Sequence, residues 1–275
     1  MVLANSVELC AQTFGRRGDP AILLVSGGAS MDWWEDGFCT ALADRGRFVI
    51  RYDARDTGQS VHYPVGEPDY GSRELVGDAI GLLDAYGVGS ACLMGISAGG
   101  ALAQLAALDH PDRVRALVLV STMAVGVDGP PMDPDLTAYF AGVTEPDWSD
   151  VDAVVASQVE YARVLAARSV AFDEAGMRAL VRRALGRTID VRAALTNPDL
   201  ARDDRAPWAS ELGSLRLPTL VVHGEEDPFF RIDHGAALAA AIPGATLLRL
   251  PGVGHEFPRR VWPVVVPAVL EVSRG

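Results

Sequence analysis

Cysteine is scarce in this chain: three residues among 275, Cys10, Cys39 and Cys92. The count is odd and the spacing wide, which excludes a disulfide framework and a zinc-ligand pattern. Cys92 sits in an apolar run and reads as a packed thiol rather than a reactive one. Basic charge is also short. Lys and Arg number 24 against 36 Asp and Glu, a formal net charge of −12 without long acidic runs. That balance argues against nucleic acid or an anionic membrane surface as a partner. Long hydrophobic runs are missing: no stretch approaches about 18 unbroken apolar residues, so no membrane span is expected. The start, Met1 to Glu8, has neither a basic region nor a long apolar run, so no signal peptide is expected and a soluble cytoplasmic protein is the default. There is no internal repeat and no low-complexity segment. No His-Glu-x-x-His occurs and the acidic residues lack calcium-loop spacing, so no metal and no other cofactor is expected. Nothing in the pattern specifies an oligomeric state.

What the chain has in quantity is apolar side chain, 49% of its residues, ample for a sizeable core. Its length suits one large domain, or a core with an insertion.

The stretch with most chemical content is Leu93-Met94-Gly95-Ile96-Ser97-Ala98-Gly99-Gly100. It contains Gly-x-Ser-x-Gly, the nucleophile-elbow pattern. Ahead of it, Ala91 to Met94 is apolar and short enough for a buried strand. Behind it, Ala101 to Leu108 is rich in strong helix formers. Ser97 is therefore expected on a sharp strand-to-helix turn, where side chains at Gly95 and Gly99 would crowd the backbone. The helix start also aims free N–H groups, the positive end of its dipole, at whatever binds there. The competing reading of the five-residue pattern is an ordinary glycine turn with a surface serine; the strand before and helix after favour a nucleophile.

The rest of the first half alternates strand and helix. Val7 to Thr13 reads as a strand, then Ala21 to Val25 as a fully buried one ending in Ser26-Gly27-Gly28-Ala29-Ser30. A short helix follows from Asp36 to Arg45, a strand from Arg47 to Tyr52, and a polar loop from Arg55 to Ser60. Arg73 to Tyr86 has helical spacing, and Arg115 to Val120 is a further strand. Such alternation predicts a mostly parallel sheet with helices on both faces, whose ligands bind beyond the carboxyl ends of the strands. From Met123 to Trp208 the alternation stops. A Gly- and Pro-rich loop opens this span, helical segments follow at Val151 to Ala167 and Glu174 to Leu185, and Asn197 to Trp208 reads as irregular. It is expected to be a helical lid over 123–208, inserted into a core of 1–122 and 209–275. Strands return at Leu217 to His223 and Thr246 to Leu250, with a helix between them and one at the end.

A serine hydroxyl is a weak nucleophile without a base in reach. Of the five histidines, His62 lies in a loop, His110 ends a helix, His223 closes a strand and His234 falls on a predicted helix. His255 follows the last strand in a glycine loop. Hydrolases with this elbow run Ser, then Asp or Glu, then His, and Asp227 and His255 fit that order, each just past a buried strand. Glu225 and Glu226 compete with Asp227, and all three could form a solvated acidic loop; Asp227 is preferred because it stands before Pro228 at the end of the turn. Its role would be to hold the imidazole in one tautomer. Two backbone donors are needed for the developing oxyanion: Ala98, after the nucleophile, and Gly28 in the glycine loop after the second buried strand.

These residues resemble the α/β-hydrolase superfamily over nearly the whole chain. Within it the chain resembles the aclacinomycin methylesterase group of polyketide tailoring enzymes. The likeness is carried by Ser26-Gly27-Gly28, Ile50 to Ser60, Gly95 to Gly100, Ala107 to Pro111 and Gly254-His255-Glu256-Phe257-Pro258. The resemblance implies Ser97, Asp227 and His255 as a catalytic triad, with Gly28 and Ala98 as oxyanion donors. The chain departs from the usual pattern at Ser26-Gly27, where His-Gly is common, and at Ala98, where Met is common. Neither change removes a backbone donor.

The expected activity is hydrolysis of an apolar small-molecule ester through a covalent acyl-enzyme. A methyl ester of a bulky, flat, apolar acid is the expected substrate. Trp33, Trp34, Phe140, Trp148, Trp208, Phe229 and Phe230 are candidate pocket residues, although each could equally be core or surface. Two alternatives stand beside this reading: a cofactor-free perhydrolase or haloperoxidase-like activity on the same triad, and a non-catalytic ligand-binding member of the fold.

Overall fold

The computed structural model describes residues 1–274. Its centre is a seven-stranded sheet of order β3-β5-β4-β6-β7-β8-β9. The strands are β3 (Ala11–Phe14), β4 (Ala21–Val25), β5 (Phe48–Tyr52), β6 (Ala91–Ile96), β7 (Val114–Val120), β8 (Thr219–Gly224) and β9 (Thr246–Leu250). Only β3 runs antiparallel to its neighbour. Five helices flank the sheet: α1 (Asp36–Ala43), α2 (Ser72–Ala85), α3 (Ala98–Asp109), α8 (Ile232–Ala241) and α9 (Trp262–Val272).

The two faces follow from the period of two along each strand. Leu23, Leu93, Leu117, Leu119 and Val221 point to one side and pack with Leu82, Leu102 and Leu238 of α2, α3 and α8. Ile22, Leu24, Cys92, Met94, Val118 and Val222 point to the other and pack with Phe38 of α1 and Val265 of α9. Apolar residues on both faces are what a sheet covered on both sides requires. Cys92 is fully enclosed in the second layer, and burial pushes its thiol up to about 12.

The first predicted strand is divided. β1 (Val2–Ala4) and β2 (Val7–Leu9) form a separate antiparallel ribbon, whereas β3 pairs with β5. The chain changes sheets at Cys10, whose N–H donates to Ser60 Oγ at 2.9 Å instead of to a strand. One strand cannot serve both partners, so the alternation that reads as a single element is split.

Between β7 and β8 stand four helices: α4 (Pro134–Gly142), α5 (Val151–Leu165), α6 (Glu174–Arg187) and α7 (Val191–Leu200). Among the described residues this span adds no strand to the main sheet. Each helix opens on an aspartate, Asp133, Asp150, Asp173 or Asp190, whose side chain accepts a first-turn amide. Helix α7 runs on through Asn197 and Pro198, where an irregular segment is expected. Asn197 is fully buried, accepts from Gly66 N–H at 2.7 Å and donates to Pro64 O at 3.1 Å, so a polar residue is anchored rather than solvated. Among the described residues no helix is long and apolar enough to cross a membrane.

Candidate active site

Ser97 stands between the end of β6 and the first turn of α3 with φ +51 and ψ −120. A non-glycine residue there is strained and persists only when its surroundings impose it. They do. Ser97 N–H donates to Val120 O at 2.9 Å. A Cβ on Gly95 would lie 2.2 Å from Gly99 O, and one on Gly99 would lie 2.2 Å from Val25 O. Backbone fills both places, so the two glycines of the pattern are sterically required.

His255 reaches the serine from the loop after β9. Its Nε2 is 3.0 Å from Ser97 Oγ, and its Nδ1 is 2.8 Å from Asp227 Oδ2. A carboxylate accepts, so Nδ1 carries the proton and Nε2 presents its lone pair to the serine hydroxyl. Asp227, after β8, is 3% exposed. Its other oxygen, Oδ1, accepts from the amides of Phe229 and Phe230 at 2.9 Å each. The two competing acids are used elsewhere. Glu225 pairs with Arg249 at 2.8 Å, and Glu226 accepts from the amides of Arg168 and Ser169 at 3.1 Å each. Three of the other histidines have partners elsewhere: His62 Nδ1 meets Ser60 O, His234 Nε2 meets Pro130 O, and His110 caps the end of α3; the fourth, His223, lies behind Asp227, its Nε2 3.5 Å from Oδ2.

Gly28 and Ala98 line one cavity of about 200 Å³, together with Tyr70, Leu102 and Trp208. Among the described residues neither amide has a protein acceptor. Both N–H groups are therefore free to donate to a group bound in the cavity. Arg55 also lines this cavity, but its guanidinium is taken by a two-pronged pair with buried Asp78, 2.7 Å at each contact.

The seven candidate aromatic residues divide. Trp208 walls the cavity, with Nε1 donating to Gln104 Oε1 at 3.4 Å. Phe229 stacks on the His255 ring at 5.1 Å between centroids, and Phe230 meets it edge-on at 5.5 Å. Phe140 lies edge-on to Phe229 at 6.1 Å. Trp34 is core, packed against Phe38, and Trp33 is exposed. Trp148 lies under Arg192 and bonds Glu145 at 2.9 Å.

Some of the site cannot be found from the motifs. The backbone N–H of His255 donates to Leu165 O, at the end of α5, at 2.7 Å. Arg183 and Arg187 of α6 reach Asp32 and Asp53 on the sheet domain. Their spacing of four puts both on one helix face, which is legible, but nothing in the sequence names their partners. Among the described residues no group of three or more His, Cys, Asp or Glu side chains is placed to hold a metal ion.

Residues 20–258 match the family model of the alpha/beta hydrolase fold. The chain is 31% identical to the rhodomycin D methylesterase DauP of Streptomyces sp. (strain C5), across 100% of this chain and 98% of that one. It is 30% identical to the rhodomycin D methylesterase DnrP of Streptomyces peucetius, with the same coverage. Among solved structures it is similar to a hydrolase from Pseudomonas aeruginosa PA01, at 27% identity and a TM-score of 0.76 over 100% of this chain and 97% of that one.

Proposed function

The chain belongs to the α/β hydrolase fold family and is a hydrolase of ester bonds, and we propose that it works through Ser97, His255 and Asp227 on the methyl ester of a bulky, apolar, polyketide-like acid. The observation that carries this reading is the unbroken row Ser97 Oγ, His255 Nε2 and Nδ1, Asp227 Oδ2, at 3.0 and 2.8 Å.

Each atom of the row has a task. His255 Nε2 takes the proton of Ser97 as Oγ bonds to the ester carbonyl carbon. Asp227 fixes the tautomer and stabilises the imidazolium that forms. The carbonyl oxygen becomes an oxyanion facing the Gly28 and Ala98 amides. As the tetrahedral intermediate collapses, the bond to the alcohol oxygen breaks and His255 returns its proton to that oxygen. A water then gives a proton to His255 and bonds to the acyl carbon. Collapse breaks the acyl–Oγ bond, the proton returns to Oγ, and the free acid departs. Residues 123–208 act as the cap that sets specificity over a core of 1–122 and 209–275.

The test is a panel of methyl, acyl and aryl esters offered to the wild type and to Ser97→Ala, with intact mass measured after an organophosphonate. Ser97→Ala is expected to lose roughly 10⁴- to 10⁶-fold in kcat and all phosphonate adduct. An adduct that persists in the variant would remove Ser97 as nucleophile.

A further inference from the structure

The segment that carries Gly28 does not brace itself. The hydroxyls of Ser26 and Ser30 on either side are buried, and neither has a hydrogen-bond partner. Just beyond, the chain makes one 3₁₀ turn, Met31–Trp33. Met31 N–H donates to Asp53 Oδ1 at 2.8 Å. Asp53, fully buried at the end of β5, also accepts from Gln59 N–H at 3.0 Å.

What neutralises this region comes from the helical insertion. Arg187 donates to Asp32 Oδ2 at 2.5 Å through one nitrogen and to Asp53 Oδ2 at 2.8 Å through another. Arg183, one turn earlier on α6, donates to Asp32 Oδ1 at 3.0 Å. One planar guanidinium thus spans two buried carboxylates, which suits Arg and not a point charge. A second contact is independent of charge. A Cβ on Gly28 would lie 2.4 Å from Pro198 Cβ, so α7 rests directly on the loop.

We propose that Arg187, supported by Arg183, is a positioning residue: the insertion, and not the loop itself, sets where the Gly28 amide points. The inference rests on the role proposed above for Gly28. Without Arg187, buried Asp53 keeps only its two amide donors and no counter-charge, and Asp32 keeps Arg183 alone, an arrangement a low-dielectric site tolerates poorly. The turn at Met31–Trp33 relaxes away from Asp53, and Gly28 moves with it. A shift of about 1 Å in a reacting group can cost about 10²-fold, and loss of one oxyanion donor about 10²- to 10³-fold.

The experiment uses the full chain as Arg187→Met and, separately, Asp32→Asn. Active sites are counted by exhaustive organophosphonate titration, and kcat, KM and the phosphonylation rate are measured on the same samples. A fall of about 10- to 100-fold in kcat and in phosphonylation rate, with KM within about twofold, is the expected result. Wild-type kcat per active site, or a change confined to KM, overturns the inference. Should Arg187→Met fail to fold, Asp32→Asn keeps both arginines and Asp53 and is judged by the same readings. Ser97→Ala separates the two levels: a phosphonate adduct on that variant removes the proposed nucleophile, whereas an inert Ser97→Ala beside a fully active Arg187→Met removes only the role of Arg187.

Discussion

His255 Nδ1 lies 2.8 Å from Asp227 Oδ2, while the second oxygen of the same carboxyl holds two amides of its own turn. The two oxygens do different work: one orients the imidazole, the other shapes the loop. Asp227→Asn separates them. The amide oxygen can still accept from Phe229 and Phe230, so the turn survives. The NH₂ group then faces Nδ1, and the imidazole must offer a lone pair there and carry its proton on Nε2, toward Ser97. With the wrong tautomer the serine has no base. We expect kcat to fall by about 10⁴ with little change in melting temperature. A loss below about tenfold, read on any ester the wild type turns over, would take Asp227 out of the mechanism.

A second imidazole sits behind this carboxylate. His223 Nε2 donates to Phe230 O at 2.7 Å and lies 3.5 Å from Asp227 Oδ2, while its Nδ1 has no partner and packs against Gly235. His255 and His234 are the other titratable neighbours. Burial, the largest influence, holds His223 below its ordinary value, and the hydrogen bond to Phe230 O and the nearby Asp227 only partly offset this. The sign for stability follows. The folded state resists a proton that the unfolded chain accepts near pH 6.5, so stability is full above about that pH and is lost as pH falls toward the lower folded value. His223→Gln keeps a donor near Phe230 O and does not titrate. Melting temperatures of both proteins between about pH 8 and 5 should diverge on the acid side, the wild type falling more steeply. Parallel curves would mean that His223 does not contribute to acid destabilisation.

Much of the site was legible because it depends on local rules. Gly95 and Gly99 are required by backbone contacts within a strand-turn-helix, and such contacts leave a mark in a short pattern. The parallel sheet was legible because strands buried on both faces read as continuous apolar runs. Asp227 could be preferred to Glu225 and Glu226 by its place in the turn, and the structure gives each of the other two a different partner. The parts that escaped depend on tertiary contact. Arg187 meets Asp32 and Asp53 across about half of the chain, and Leu165 offers a backbone carbonyl, which has no residue-type signature. The break at Cys10 escaped for a similar reason: only the existence of two sheets divides an alternating run.

The two sides of Ser97 are unequal, and that bears on which half of the ester is large. The leaving oxygen must come to His255 Nε2 to receive its proton, and Phe229 and Phe230 crowd that imidazole at 5.1 and 5.5 Å between ring centroids. Their amides are tied to Asp227, which fixes the backbone from which both rings project. The cavity lined by Gly28 and Ala98 runs to Trp208, and none of Ser97, His255, Phe229 and Phe230 lines it. A large apolar acyl group has surface to bury there, at about 25 cal/mol per Å². About 55 Å² of added contact is then enough for a tenfold preference, since tenfold corresponds to about 1.4 kcal/mol. We expect kcat/KM for the methyl ester of a polycyclic aromatic acid to exceed that for the acetate of a large alcohol by at least about tenfold. Trp208→Ala should raise KM for the polycyclic ester and leave methyl acetate unaffected, because only the larger acyl group reaches the indole. A clear preference for the acetates would put the bulky pocket on the alcohol side, reversing the assignment of the two halves while leaving Ser97 as the attacking residue.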